Sequence, residues 1–133
     1  MKALLALLLT GTALMAEVVI IANPSVKASE VSSEELKLVF LGSKSALADG
    51  SSVEPVLAQS GAAHDDFLKT YIGKSDPALR NHYKSLVFTG KGSMPKSFAS
   101  DADIVAHVAK TKGAIGYLAA APAAPGIKRL TVK

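Results

Sequence analysis

No cysteine occurs among the 133 residues. That absence excludes a disulfide framework, a thiolate metal site and a cysteine nucleophile. Histidine is sparse and dispersed. His64, His82 and His107 lie 18 and 25 residues apart, no two stand at i, i+4, and none joins an Asp/Glu motif of metal-site type. No G-x-S-x-G elbow is present, because Ala58 and Gln59 precede Ser60, so a hydrolase reading is poor. The loop Thr89-Gly-Lys-Gly-Ser93 lacks the spacing of a Walker loop and follows a helical pattern rather than a strand, which makes it a connector. Nothing here implies an enzyme, a metal or a cofactor. Basic residues outnumber acidic ones by 15 to 11, for a net charge of +4, but they are scattered along the chain. A scattered excess is a solvated surface and gives no basis for a nucleic-acid partner. After the first sixteen residues no apolar run reaches membrane length. There is no internal repeat.

What is present begins with a targeting pattern. Met1-Lys2 is a short basic start, Ala3 to Leu9 is an apolar run, and Thr10 to Ala16 carries small residues. This reads as a secretory signal peptide, too short for a span. Cleavage fits after Ala13 or after Ala16; the second keeps the run Val18–Ala22 whole. The expectation is residues 1–16 as signal peptide and 17–133 as one exported, periplasmic domain, soluble and held together by packing alone.

Val18-Val-Ile-Ile-Ala22 is a continuous β-branched run bounded by Asn23-Pro24, the pattern of a strand buried on both faces. Ser32-Ser-Glu-Glu35 is a capping box. Leu36, Val39 and Phe40 follow on one helical face, and Gly42 closes it. After an Asp49-Gly50 turn, Val53, Pro55, Val56 and Leu57 predict a second strand, near an edge because of Pro55. A second helix follows Ser60, with Ala63, Phe67, Leu68, Tyr71 and Ile72 inward and Gly73 as its stop. A third starts at Ser75-Asp76-Pro77, with Asp76 as cap and proline in the first turn. Its core face is Leu79, Tyr83, Leu86 and Val87, and a glycine-rich loop runs from Phe88 to Pro95. Asp101 caps a fourth helix with Ile104, Val105 and Val108 inward and Lys110 and Lys112 near its carbonyl end. Ala114 to Leu118 is a strand, Ala119 to Gly126 an Ala/Pro-rich connector, and Lys128 to Val132 a last strand. Helices between strands predict an α/β lobe of three layers, a mixed sheet flanked by helices.

The candidate functional stretch is Ser60 to Gly73, where a strand stops at a Ser-Gly corner and a helix begins. Two readings fit the corner. Backbone N–H groups, Ser60 Oγ and the helix dipole suit a small oxyanion. Equally, Ser60 caps its own helix, and spacing alone favours this. Asp65 and Asp66 push the same way, since carboxylates in a first turn offset the dipole and repel an anion.

The segments E-V-V-I-I-A-N-P, S-S-E-E-L-K-L-V-F-L-G, A-D-G-S-S-V-E-P-V, F-L-K-T-Y-I-G-K-S, L-V-F-T-G-K-G-S-M-P-K and G-A-I-G-Y-L together carry a resemblance. In order and spacing, nearly the whole mature chain resembles small exported proteins related to the phosphate-binding components of ABC transporters. Those belong to the type 2 periplasmic binding protein superfamily. The resemblance implies one α/β lobe, where larger members hold phosphate between two. It also implies a Ser-Gly-Thr type corner followed by arginine. Counting back from Phe67, Gly61, Ala62, Ala63 and His64 stand there, so the threonine hydroxyl and the arginine are absent. Ser60-Gly61 substitutes with a one-residue shift. Two functions follow. One is an oxyanion-binding lobe for ABC-type uptake beside a permease, with Ser60 and Gly61 donating to phosphate and His64 adding charge at low pH. The other is a periplasmic protein–protein interaction or assembly module without a small ligand. A lobe taken from a clamshell exposes the face its partner lobe covered, which favours homo-oligomers or protein partners.

Overall fold

The computed structural model describes residues 18–120 and 126–133. The signal segment expected over residues 1–16 lies outside them, as does most of the Ala/Pro-rich connector. The described residues form one six-stranded mixed sheet with helices on both faces, the α/β architecture expected. Its strands are β1 (Val19–Ala22), β2 (Glu30–Val31), β3 (Glu54–Ala58), β4 (Lys96–Phe98), β5 (Ala114–Leu118) and β6 (Lys128–Val132). Their spatial order is β2-β6-β1-β5-β3-β4. β3 runs parallel to both β4 and β5, while β1 is antiparallel to β5 and β6.

The layering follows from residue alternation along the two central strands. Ile20 and Ala22 of β1, with Ile115 and Tyr117 of β5, face the larger core. Val19 and Ile21, with Ala114 and Leu118, face the smaller one. A side chain every second residue points to the same face, so a continuous apolar run is what a strand covered on both sides requires. The larger core is completed by α1 (Ser33–Phe40), α2 (Ala62–Phe67) and α3 (Asp76–Phe88), the smaller by α4 (Asp101–Lys110). Gly116 lets α4 lie close, since a Cβ there would come 3.2 Å from Ile104.

Serine caps the starts of α1, α3 and α4. Ser32 Oγ accepts from Glu35 N–H at 3.0 Å, as the capping pattern predicts. The box is only half closed, because Glu35 turns to the Ala48 amide at 2.6 Å and to Lys44. At α3 the cap is Ser75, not Asp76, and at α4 it is Ser100, not Asp101. In both, the aspartate is the first helical residue, where its charge opposes the positive dipole end. Two helices end alike. Gly42 (φ 77°) and Gly90 (φ 72°) take the left-handed turn, and Ser43 N–H and Lys91 N–H bond back to Leu38 and Leu86 carbonyls.

β3 lies near an edge as Pro55 suggested, one strand in from it. Proline is tolerated because Glu54 N–H already points to Gly113 on the β5 side, so the Pro55 nitrogen faces the other way, where pairing with β4 begins only at Val56. The second helix is not uniform: after α2 the chain makes a π-helical turn, Leu68–Ile72, closed at Gly73. Val87 is half exposed rather than inward. β2 and β4, of two and three residues, were not anticipated.

Candidate anion-binding corner

Parallel strands β3, β4 and β5 deliver their carboxyl ends to one edge of the sheet. In open α/β sheets, ligands sit in the crevice outside such ends. From β3 the chain passes through Gln59, Ser60 and Gly61, all exposed, into α2. Gln59 N–H is tied to the Phe98 carbonyl at 2.9 Å, which locks the corner to the end of β4. The helix cap is Gly61 (φ 114°), with no side-chain bond. Ser60 therefore does not cap α2, contrary to the reading that spacing favoured. Ser60 is exposed and precedes the amides of Ala62, Ala63 and His64, the first three N–H groups of the helix, which have no acceptor within it. Open space surrounds the position of a Cβ on Gly61, so a ligand can approach the backbone.

His64 lies on the other side of this backbone. It is 1% exposed, and both ring nitrogens are engaged by protein. Nδ1 lies 2.5 Å from the Tyr117 hydroxyl, and Nε2 lies 2.7 Å from Asp76 Oδ1. A carboxylate only accepts, so Nε2 carries the hydrogen and Nδ1 accepts from Tyr117. The Tyr117 oxygen in turn accepts from Ala58 N–H at 2.9 Å. Asp76 also receives Arg80 Nε, at 2.9 Å to Oδ2 and 3.1 Å to Oδ1, and Arg80 Nη2 reaches the Gln59 carbonyl at 3.4 Å. The hydrogen bonds leave the backbone at Ala58 and return to it at Gln59. They pass through one strand and two helices, and they hold the corner from behind. His64 is thus a supporting side chain and not a direct ligand donor, a correction to the expectation for it.

The electrostatics follow the same partners. The Arg80 hydrogen bond holds the Asp76 carboxyl below the usual carboxylate range, against a desolvation cost and with help from His64. Burial pushes the Tyr117 hydroxyl above its ordinary value. Tyr117 is stacked on Phe67 at 3.9 Å between centroids and 5° between planes, which fixes the ring that carries the hydroxyl. Arg80 escaped the sequence reading. The one local sign was its i, i+4 spacing from Asp76; its approach to the Gln59 carbonyl is a tertiary contact. Among the described residues no cluster of histidine and carboxylates suited to a metal occurs.

No protein-family model and no curated protein sequence matches the chain. Solved structures do. PstS from Borrelia burgdorferi superposes with a TM-score of 0.65 at 14% identity, over 87% of this chain and 47% of that one. A phosphate ABC transporter substrate-binding protein from Clostridium perfringens, solved with bound phosphate, gives 0.64 at 13%, over 86% and 44%. An ABC-type phosphate transport receptor from Vibrio cholerae gives 0.57 at 10%, over 86% and 45%. The fold is that of phosphate ABC transporter substrate-binding proteins. The chain spans less than half the length of these structures.

Proposed function

We propose that this chain is an exported, periplasmic lobe of substrate-binding type that contacts phosphate or a similar small oxyanion at the Ser60–Gly61 corner and serves ABC-type uptake beside a permease. It acts by binding and not by catalysis. The observation that carries the reading is the exposed, glycine-capped corner at the carboxyl end of β3, in a fold whose neighbours include a protein solved with phosphate. Backbone amides and the Ser60 hydroxyl would donate to the oxyanion, and Arg80 supplies positive charge alongside. Asp65, exposed in the first turn, opposes an anion, so the expected affinity is low. A tight pocket would need a second wall.

Thermal melting in phosphate tests the idea. A ligand that binds only the folded state adds RT ln(1 + [L]/Kd), about 2.7 kcal/mol at a hundredfold excess over Kd. Phosphate should raise the melting temperature above that in chloride of equal ionic strength. Ser60→Ala should reduce the effect and Gly61→Ala abolish it, since φ 114° is closed to side chains. An identical melt in phosphate and chloride would end the oxyanion reading.

A further inference from the structure

A second surface lies at the other end of β3. The cleft there, about 600 Å³, is lined by Val53, Glu54 and Pro55 from the strand's entrance, whereas the anion corner follows its exit. Its accessible apolar lining is Pro55, Leu86 and Met94, over the buried Val39 and Tyr83, and three lysines, Lys44, Lys91 and Lys96, stand around it. Glu54 is the carboxylate among these lining residues; Lys44 is already paired with Glu35 at 3.5 Å.

Beside this cleft the chain departs from ordinary surface composition. From Pro77 to Ser100 it carries Arg80, Lys84, Lys91 and Lys96 and no carboxylate. The large hydrophobics exposed among the described residues all fall in this segment: Val87 at 50%, Phe88 at 93% and Met94 at 41%. Exposure of Phe88 is not fraying. It is the last residue of α3, and the helix end behind it is closed by Gly90, by Lys91 N–H to Leu86 at 2.8 Å, and by Thr89 Oγ1 to Ser85 at 2.9 Å. A closed helix end holds an aromatic ring in water, two residues after Leu86 and three before Lys91, both of which line the cleft.

We propose that this face docks an acidic segment of another protein, with an apolar side chain of that segment seated against Pro55, Leu86 and Met94 and its carboxylates meeting Lys91 and Lys96. Phe88, exposed on the segment that borders the cleft, is the anchor on this side, since an aromatic buried on association is how binding energy concentrates in protein interfaces. The charge balance selects an acidic partner, and the concavity selects a protein side chain, because a flat lipid surface does not enter a cleft.

The test uses the full chain and a displayed random peptide library. Enriched sequences should combine aspartate or glutamate with a large apolar residue. Binding of a synthetic peptide of that kind should fall more than about tenfold with Phe88→Ser. It should also fall with Lys91→Glu, and a peptide with lysine in place of its acidic residue should then regain affinity for the Lys91→Glu variant. All these residues are exposed, so the variants should keep the parent circular dichroism spectrum and melting temperature. Enrichment without acidic character, or binding indifferent to Phe88 and Lys91, would overturn the proposal. So would Phe88-dependent sedimentation with phosphatidylglycerol vesicles, which would assign the face to lipid. A Phe88-dependent dimer in sedimentation velocity would also overturn it, by assigning the face to a second copy. Phosphate melting is unaffected by these variants, so failure here and failure of the anion reading are separable.

Discussion

Replacing Tyr117 by phenylalanine isolates the hydrogen bonds behind the corner from the packing around them. The ring stays stacked on Phe67, and its edge contact with Phe40 at 5.9 Å between centroids is kept. What disappears is one oxygen that serves two groups, the Ala58 amide and His64 Nδ1. His64 is 1% exposed, so water does not replace the lost partner, and an unsatisfied buried group costs about 1–3 kcal/mol. Ala58 is half-buried and recovers part of its bond from solvent, for roughly another 1 kcal/mol. The sum is about 2–4 kcal/mol. In a domain of this size that lowers the melting temperature by roughly 8–15 °C. The chain has no tryptophan, so urea unfolding is best followed by far-UV circular dichroism. The m-value should be unchanged, because the same surface is exposed on unfolding. In the Tyr117→Phe background, His64→Leu should cost less than in the parent, since its partner is already gone. A Tyr117→Phe variant within about 0.5 kcal/mol of the parent, or full additivity with His64→Leu, would refute the idea that this network holds the corner.

Two further outcomes follow from the structure. Burial raises the hydroxyl pKa of both Tyr83 and Tyr117. The unfolded chain therefore releases these protons at a lower pH than the folded one, and stability should fall as pH rises past about 10; an alkaline melt series should show a drop that Tyr117→Phe reduces. Gly113→Ala should destabilise by at least about 2 kcal/mol, because φ is 79° and the new Cβ would come 2.7 Å from the Ser52 carbonyl oxygen. Gly90→Ala, at φ 72° with open space around it, should cost only about 1 kcal/mol. Equal urea midpoints for the two alanine variants would show that the Ser52 contact is relieved by relaxation.

Much of the scaffold was legible because its determinants are local. A β-branched run marks β1, serine ahead of an apolar stripe marks the helix starts, and glycine marks their ends. The shift of caps from Asp76 to Ser75 and from Asp101 to Ser100 is a one-residue ambiguity between neighbours that both cap well. β2 and β4 were invisible because two or three residues show no period. One turn of π-helix has nearly the same apolar spacing as an α-helix. The corner itself was found from a strand, a Ser-Gly pair and a helix in succession.

Its support was not. His64 turns inward because Tyr117, 53 residues away, meets one ring nitrogen and Asp76 meets the other. Arg80 reaches Gln59 across 21 residues. Such partners are set by how helices settle on the sheet, and no spacing rule encodes that. Sequence alone determined β1, β3, β5 and β6, the helical segments and the strand-to-helix corner at Ser60–Gly61. Tertiary packing decided which charged and hydroxyl groups stand behind that corner, and that Phe88 ends in water, because these depend on contacts between residues far apart in the chain.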